Sequence, residues 1–563
     1  DCVLGTPPWE RIKLQEQEFF AQRDEKIATA RNAAARKTLI AALKADPDRR
    51  ALCEEFETAK RKAEGESHFL RNGGRYLLTG RGDINTYAVF SETDRTLTGP
   101  RGRMGVIVPT GIATDATTQY FFKKLVENGS LAALYDFENR GGLFPAVDSR
   151  MKFCILSLVG RALREPAARF AFFLHDPTEL GEADKAFALT PEEITLLNPN
   201  TGTCPVFRSR RDAEITLGIY RRVPVLVKEP DEHGRGGSNP WGVSFMTMFH
   251  MSNDSHLFHT REELEADGWR LFGNVFIRGT KKMLPLYEGR MGHQYNHRFA
   301  DSTGERQSSI LELETPDFVV QPQYWVTSEL TSERLVRRRF GCTTGMLGHR
   351  RVARNNDERT CIAAVIPYGA ASYGWILSAG PTADDLTLLT ATFNSYVYDY
   401  ALRNSFSQPS IPQGTSQQSP VPARSTLEVA KGFILGRVLE LTYTAWDMAP
   451  FARDLGDTRP PFRWEEERRA VIRAELDALF FHLYGISRED ADYILDTFPI
   501  VKRKDEAKYG AYRTKELVLY EYDRMAAAGV SFDNPPIDGE NYTSTLTPPP
   551  GHGPRHPAKG ANA

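Results

Sequence analysis

The feature that most constrains the fold is a series of apolar segments between residues 99 and 160. Met104–Val108 is flanked by glycines, and residues 151–160 form a continuous apolar run, MKFCILSLVG. A helical segment at about 115–127 and a short strand within 131–147 lie between them. Strands that are apolar along their whole length are typical of a sheet covered on both faces, which is usually parallel. The pattern predicts a buried, mostly parallel α/β sheet.

Segments on either side extend this first domain. Residues 1–5 have the character of the end of a buried strand. Residues 14–64 are rich in Ala, Glu, Lys and Arg, which predicts two helices in an insertion over about 14–75. GDINTYAVF, at 82–90, is a polar turn that leads into an apolar helix. We therefore predict a first domain over residues 1–165.

The rest of the chain changes character twice. From 166 to 425, short β-like runs alternate with aromatic-rich loops, which predicts an α+β domain. Within it, residues 407–425 are rich in Ser, Gln and Pro and are predicted to form a linker or extended loop. Residues 426–528 have a helical pattern, whereas 529–563 are rich in Pro and Gly and are predicted to be disordered.

Composition excludes few classes of protein. The net charge of -2 gives no global sign of nucleic-acid binding, although a local basic patch can serve that purpose. The six cysteines form no metal-binding spacing, and their scatter is typical of a reducing cytoplasm. No apolar run approaches 18 residues, so no membrane span is predicted. Because the chain opens on Asp1 inside a strand, we expect a further segment upstream.

The turn after the first strand has the residues that one chemical task requires. An exocyclic amino group on a heteroaromatic ring is a poor nucleophile, because its lone pair is delocalised into the ring. In the turn Thr6-Pro7-Pro8-Trp9, a polar side chain and a carbonyl could accept the amino hydrogens, and proline fixes the backbone. The aromatic residue could stack on a base that has left the duplex. An ordinary turn is the alternative for these four residues alone.

The longer sequence favours the first interpretation. The turn resembles the catalytic motif of N6-adenine DNA methyltransferases, Asn/Asp-Pro-Pro-Tyr/Phe/Trp after a strand. DCVLGTPPWER is similar to the large methylase–specificity polypeptides of type IIG restriction–modification systems and their phage-defence relatives (the BREX- and DISARM-like class). The likeness continues to about residue 528 through these segments: GDINTYAVF (82–90), GRMGVIVPTGIATD (102–115), LFPAVDSRMKFCIL (143–156), FHMSNDSHLF (249–258), LPLYEGRMGHQYNHRFA (284–300), QPQYWV (321–326) and YILDTFPIVKRKDEAKYGAYRTKELVLYEYDRM (493–525).

The resemblance implies roles for particular residues in methyl transfer from S-adenosylmethionine to adenine. Thr6 occupies the acceptor position, Pro7 supplies a carbonyl acceptor, and Pro8 sets the turn. Trp9 would stack on the adenine, with the pair Phe144-Pro145 on its other face. A core position is the alternative for Phe144. Methylation of this kind requires no metal.

The chain departs from the family pattern in two ways. Thr6 stands where the family has Asn or Asp, and a hydroxyl does not reproduce the geometry of an amide. Loss of such a contact would slow the reaction by several orders of magnitude. The glycine-rich S-adenosylmethionine loop is absent from residues 1–563, and the resemblance places it upstream of Asp1. The nuclease of type IIG enzymes would also lie upstream, and this chain alone is expected to be inactive.

Two basic stretches are candidates for contacts to double-stranded DNA. ERLVRRRFGCTTGMLGHRRVAR (333–354) has seven arginines and no acid after its first residue, and VKRKDEAKYGAYRTK (501–515) follows in the helical part. Arginine contacts phosphates or guanine edges, although a solvated surface is the alternative. The predicted DNA-binding residues are Arg337, Arg338, Arg339, Arg350, Arg351, Arg354, Lys502, Arg503 and Lys504. His293 and His297 lie in one loop, but no carboxylate spacing supports a metal site.

Together these features predict a partial Rossmann-like methyltransferase domain, comprising the second half of its sheet. An α+β target-recognition domain and a C-terminal helical region would follow. The predicted function is site-specific adenine-N6 DNA methylation in restriction–modification or phage defence, in the cytoplasm, with DNA and other defence subunits as partners. The alternative is a catalytically inactive DNA-binding or specificity module, or a decayed gene fragment.

Overall fold

The computed structural model describes residues 1–31, 33–231, 233–302, 304, 306–337, 344–380, 382–406 and 410–559. They belong to two units, which divide between Glu214 and Ile215.

A mixed six-stranded sheet organises the first unit. Its strands are β1 (Cys2–Gly5), β2 (Arg103–Pro109), β3 (Leu131–Glu138), β4 (Lys152–Val159), β5 (Ala168–Leu174) and β6 (Phe187–Leu189). Their order is β1-β2-β4-β3-β5-β6. The pairs β1–β2 and β3–β5 are parallel, whereas β2–β4, β3–β4 and β5–β6 are antiparallel.

The prediction of a mostly parallel sheet is therefore wrong. A parallel neighbour requires a crossover connection, usually a helix, whereas an antiparallel neighbour needs only a loop. Residues 139–151, between β3 and β4, contain a single 3₁₀ turn, so β4 returns antiparallel beside β3. Continuous apolar character indicates burial of a strand, but it does not give the strand's direction.

Nine helices lie in the described part of this unit or, for the last of them, cross its boundary. They are α1 (Glu16–Ala21), α2 (Glu25–Ala28), α3 (Ala33–Ala45), α4 (Arg50–Asn72), α5 (Thr86–Leu97), α6 (Gly111–Thr114), α7 (Gln119–Glu127), α8 (Pro191–Leu197) and α9 (Arg210–Arg222). Four of them, α1–α4, lie in the segment where the sequence predicts a two-helix insertion. They have their own small core, in which Phe19, Phe20 and Phe56 contact one another.

The second unit contains two smaller sheets. The first has the order β11-β10-β9-β8 and the second β13-β12-β15-β7, and all of these neighbours are antiparallel. A short strand, β14, pairs parallel with β10. The strands are β7 (Ser244–Met246), β8 (Arg270–Phe272), β9 (Val275–Arg278), β10 (Lys281–Tyr287), β11 (Trp325–Thr327), β12 (Gly345–Arg350), β13 (Ala363–Pro367), β14 (Ala370–Ala371) and β15 (Trp375–Ala379).

Helices dominate the C-terminal part of this unit, as the sequence predicts. The helices of the second unit are α10 (Arg261–Ala266), α11 (Ile310–Leu313), α12 (Ser328–Arg337), α13 (Ala383–Asn394), α14 (Tyr396–Arg403), α15 (Gln413–Gln417), α16 (Arg424–Val429), α17 (Lys431–Thr442), α18 (Ala449–Asp454), α19 (Glu466–Leu483), α20 (Arg488–Asp496), α21 (Pro499–Tyr509) and α22 (Arg513–Ala527). Helix α19 packs against both α17 and α22, and its side chains are buried over most of its length.

Two segments differ from what their composition predicts. In the stretch predicted as a linker, residues 410–425 include α15, and Ser416 and Gln418 are buried. Residues 530–559, predicted to be disordered, pack on the helical region. Asp538 pairs with the buried Arg437 at 2.7 Å, and Arg555 pairs with Asp457 at 2.7 Å. Composition misses these contacts because each joins residues about a hundred positions apart.

A buried acid in the second unit predicts a dependence of stability on pH. Burial raises the pKa of Asp477 to about 6, although Arg359 and the Tyr396 backbone N–H act in the opposite direction. The folded protein therefore holds this proton more tightly than the unfolded chain, whose carboxyl titrates near 4. Between pH 4 and pH 7 the free energy of unfolding should fall by about 2 kcal/mol more in the native protein than in Asp477→Asn. Denaturant titrations of both proteins across that range measure this difference, and parallel pH curves would contradict it.

Candidate functional site

One edge of the six-stranded sheet collects the ends of five strands. The carboxyl ends of β1, β2, β3 and β5 lie there together with the beginning of β4. The register aligns Gly5 with Val106, Pro109 with Phe153, Phe153 with Phe137, and Phe137 with Leu174. The turn Thr6–Trp9 and the loop 139–151 therefore start from the same edge. In open α/β sheets, ligands bind beyond the carboxyl ends of the strands.

The start of α5 holds the turn in place. The Thr86 hydroxyl donates to the Pro8 carbonyl at 2.6 Å and accepts from the Glu10 N–H at 2.9 Å. The Thr86 N–H donates to the Glu10 carbonyl at 2.9 Å. These bonds fix the backbone that follows the two prolines, neither of which has an N–H to contribute. These hydrogen bonds join residues 76 positions apart in the chain and give the turn a defined shape.

Two acceptors in the turn remain free. Thr6 is exposed, and Pro7 is buried. Within the described ranges, no group donates a hydrogen bond to the Thr6 hydroxyl or to the Pro7 carbonyl. These are the two groups to which the sequence assigns contacts with an amino group.

An aromatic cluster lies beside the turn. The ring of Trp9 is 6.3 Å from that of Phe153 in a stacked arrangement, and its Nε1–H donates to the Ile107 carbonyl at 3.4 Å. Phe144 packs edge-on against both, at 6.4 Å from Trp9 and 4.9 Å from Phe153. The structure thus brings Trp9 and Phe144 together, as the hypothesis of a shared base-binding site requires.

The two rings do not form an open sandwich in this structure. Their planes are inclined by 75°, which is the edge-to-face arrangement that aromatic pairs prefer. A flat base can lie between their faces only after one ring turns. Phe144 is half-buried, and Pro145 is exposed beside it.

Asn139 shapes this loop, and the sequence analysis missed it. Its side chain is buried and donates to the carbonyls of Phe144 and Val147 at 2.9 Å each. Its Oδ1 accepts from the Phe144 N–H at 2.9 Å. An Asn immediately after a strand is a local signal for such a loop, because its side chain readily bonds the backbone. Phe153 was missed as well, since it reads as an ordinary strand residue.

Charged groups lie on the same edge, further along β3 and β4. Glu138 pairs with Arg140 at 2.9 Å and with Lys152 at 3.2 Å, and His175 lies 3.4 Å away. Burial alone would raise the pKa of Glu138, but Lys152 and Arg140 hold it below its usual value. The cations around Glu138 thus balance its charge.

Phe173 supplies a strained backbone position on this edge. Its φ of 58° lies in the left-handed region, which is unusual for a bulky residue. Its ring lies 4.3 Å from the Lys152 ammonium and 4.5 Å from the Arg208 guanidinium. Its N–H donates to buried Asp136 at 3.2 Å, and burial raises the pKa of that carboxyl. The Phe173 ring is thus in contact with both cations.

The predicted DNA-binding arginines differ in availability. Arg337 is exposed and pairs with Glu333, whereas Arg338 and Arg339 lie outside the described residues. Arg350 is half-buried and donates twice to the Gly292 carbonyl, at 2.6 and 3.0 Å. Arg351 stacks 4.1 Å from the Tyr373 ring. Both Arg350 and Arg351 are thus largely engaged within the protein.

The remaining predicted cations lie near one another. Arg354 is exposed at the start of a turn that leads to Glu358, which pairs with Lys504 at 2.5 Å. Lys502 and Arg503 are exposed on the same helix, α21. The pair Glu358–Lys504 thus joins the second basic stretch to a residue four positions beyond the first.

The histidine-containing loop has a packing role. His297 Nε2 lies 2.9 Å from Asp447, and both groups are inside the second unit. The Arg298 guanidinium is fully buried and donates to the carbonyls of Leu313, Thr315, Phe318 and Thr444. The described residues contain no group of three or more His, Cys, Asp or Glu that could hold a metal ion. None of the helices in the described ranges is long and apolar enough to cross a membrane.

Comparison with known proteins gives a weak likeness to restriction–modification enzymes. No family model and no curated protein matches the chain. Among solved structures, it is similar to the type IIG restriction endonuclease BpuSI, with 11% identity, a TM-score of 0.23, and coverage of 70% of this chain and 51% of that one. It is similar to the DNA-bound type IIL enzyme MmeI, with 10% identity, a TM-score of 0.38 and coverage of 82% and 55%.

A third similar structure is the ATP-dependent type ISP enzyme LlaBIII bound to DNA. Its identity is 9% and its TM-score is 0.35, over 78% of this chain and 30% of that one. The chain thus spans about half, or less, of the length of each of these three proteins.

Proposed function

We propose that this chain supplies the base-binding and DNA-binding parts of a site-specific adenine-N6 DNA methyltransferase in restriction–modification or phage defence. One observation carries the proposal: the free acceptors of Thr6 and Pro7 lie on the same sheet edge as Trp9 and Phe144. Acceptors beside stacking aromatics suit a flat ring that bears an amino group. Adenine that has left the duplex is such a ring.

The turn would orient the amino group of the base. The Pro7 carbonyl accepts one N–H and the Thr6 hydroxyl accepts the other, which favours a more tetrahedral nitrogen with an available lone pair. Trp9 stacks on one face of the ring, and Phe144 covers the other after it turns from its edge-on position. The bonds of Thr86 keep the Pro8 carbonyl occupied, so the Pro7 carbonyl is the acceptor left for the base.

The residues described here do not fit a binding site for S-adenosylmethionine, which would supply the methyl group when bound. Two glycines follow β3, but the conformation of the loop accounts for both of them. A Cβ on Gly141 would lie 2.7 Å from the His175 carbonyl, and Gly142 has a φ of +71°. No glycine-rich loop follows a strand elsewhere on this edge in the described part of the chain. We therefore assign no step to the methyl donor.

One residue, Thr6, favours a second function. Thr6 provides a single hydroxyl, which is a poorer acceptor for an amino group than an amide or carboxylate. A DNA-binding or specificity module without methyl transfer is the function that this substitution favours. The two functions differ in whether the base leaves the duplex, and both require binding to DNA.

Replacement of Trp9 tests the proposed function. Base stacking on an aromatic side chain contributes about 1–3 kcal/mol, so Trp9→Ala should slow adenine methylation by about 5- to 150-fold. Trp9→Phe retains a ring at the same place and serves as the matched control, with a loss of less than about fivefold. The assay follows tritiated methyl groups into plasmid DNA with the complete gene product. Equal rates for Trp9→Ala and the native protein would contradict base stacking at this turn.

Helix α21 gives a prediction for the DNA-binding part. Lys502 and Arg503 are exposed and have no ion pair among the described residues, unlike Lys504. Each phosphate contact adds about 0.9 to the slope of log K against log salt concentration. Lys502→Ala and Arg503→Ala should each lower the slope by about that amount. Lys228→Ala, at an exposed site outside both basic stretches, should leave it unchanged. Fluorescence anisotropy with a duplex at several salt concentrations measures the slopes, and unchanged slopes for both α21 variants would contradict the contact.

A further inference from the structure

A cavity of about 330 Å³ lies at the opposite edge of the six-stranded sheet. Its walls come from the end of α5, the turn between α7 and β3, and the segment that follows β4. At this edge β2 begins and β4 ends, since Arg103 is aligned with Val159. The cavity is therefore separate from the Trp9 cluster, and it is not part of the proposed base-binding site.

The cavity is lined by cations and by no carboxylate. Arg95, Arg161 and Arg164 all contribute to its wall. None of the three has an ion pair or a hydrogen bond from its guanidinium to any described residue. A nearby arginine, Arg103, is different, because it pairs with Glu165 at 2.7 Å. Arg161 and Arg164 are exposed, whereas Arg95 is half-buried. Three guanidinium groups around one cavity create a positive potential there, which attracts an anion.

Arg95 is the most buried of the three arginines. Its side chain is half-buried, and burial lowers its pKa, because removal from water penalises the charged form. The carboxylate of Glu92 acts in the opposite direction but is engaged elsewhere. Its carboxylate accepts from the Thr79 hydroxyl at 2.6 Å and from the Thr79 N–H at 3.0 Å. A guanidinium so placed gains most from a ligand that supplies the missing negative charge.

The polar groups between the arginines also favour an acceptor. The hydroxyls of Thr96, Thr98 and Ser130 already donate to backbone carbonyls of their own segments, at 2.9, 2.7 and 3.2 Å. The amide of Asn128 has no hydrogen bond to a described residue and can donate. The donors that remain are thus guanidinium and amide N–H groups. A ligand that fills the cavity must accept hydrogen bonds at several atoms.

We propose that this cavity binds a phosphoryl group of a nucleotide or of a nucleic-acid backbone. Planar guanidinium groups bind phosphate oxygens in pairs, and phosphate combines negative charge with several acceptors. The volume is at the lower end of the range of ligand pockets and suits one or two phosphoryl groups. A phosphoryl group in this cavity would be a second ligand of the protein, bound at the sheet edge opposite the one where the base would bind.

Calorimetric titration with inorganic pyrophosphate, at constant ionic strength, tests the proposal. The native protein should bind with a defined stoichiometry of one. Arg95→Met should weaken binding at least tenfold, and Arg161→Ala and Arg164→Ala at least threefold each. Arg101→Ala, at an exposed site that does not line the cavity, is the matched control and should stay within twofold. Thermal unfolding without pyrophosphate checks that the variant is folded. Arg95→Met should then melt at a temperature no lower than that of the native protein.

Two further arms separate the sources of the phosphoryl group. If a free nucleotide is the ligand, ADP should bind at least as tightly as pyrophosphate, and Arg95→Met should leave DNA binding unchanged. If the DNA backbone is the ligand, Arg95→Met should weaken DNA binding and pyrophosphate should compete with the duplex. Absence of pyrophosphate binding, or equal affinity in Arg95→Met and the native protein, would overturn the proposal. Neither result bears on the Trp9 site.

Discussion

Asp399→Ala is expected to lower the free energy of unfolding of the protein by about 3–5 kcal/mol. Asp399 is fully buried, and its carboxylate accepts from Arg359 Nε at 2.7 Å and from the Thr360 N–H at 3.1 Å. Arg403 lies 3.5 Å away on the same helix. Removal of the acid leaves two buried guanidinium groups without their shared partner, and that cost is larger than the loss of the contacts themselves.

An exposed ion pair provides the control for this prediction. Arg261 and Glu265 pair at 2.8 Å along one turn of α10, and both side chains are about half exposed. Glu265→Ala should therefore change the free energy of unfolding by about 0.5 kcal/mol or less. Urea titrations of the three proteins give the values. If Asp399→Ala and Glu265→Ala were equally mild, the buried network would not stabilise the second unit.

The sequence predicts the local backbone on either side of the turn. A strand end followed by Thr6-Pro7-Pro8-Trp9 is a local pattern, and the structure has β1 end at Gly5 immediately before that turn. The loop that carries Phe144 also follows a strand. Their meeting at one sheet edge depends on β1 and β3 having their carboxyl ends on the same side, which an α/β sheet provides.

What the sequence does not predict depends on distant partners. The engagement of Arg350 with the Gly292 carbonyl joins residues 58 positions apart, and a basic stretch alone does not reveal it. The antiparallel direction of β4 follows from the short connection after β3 and not from the apolar pattern of β4 itself. The order of residues 530–559 depends on pairs such as Arg437–Asp538. The pattern of apolar residues predicts which segments are buried, but it does not predict which distant residues pair with each other.

Thr6→Asn is expected to raise the rate of adenine methylation by about 10²- to 10³-fold, which is the usual effect of one positioned hydrogen-bonding group in a transition state. Thr6 is exposed at the end of β1, so the larger amide can be accommodated without displacing the core. The amide oxygen would accept from the amino group in the geometry that the hydroxyl does not reproduce. Thr6→Val, which has nearly the same shape and no hydroxyl, is the matched control and should be no faster than the native protein.

The formation of N6-methyladenine in DNA tests the proposed base-binding turn most directly. The complete gene product, as found and with Thr6→Asn, Thr6→Val or Trp9→Ala, is incubated with S-adenosylmethionine and plasmid DNA that lacks methyladenine. The DNA is then digested and its nucleosides are separated by mass. We predict N6-methyladenine with Thr6→Asn at a rate well above that of the native protein, and the least product with Trp9→Ala. Equal product from all four proteins, or DNA binding by none of them, would contradict an adenine-binding site at Thr6–Trp9.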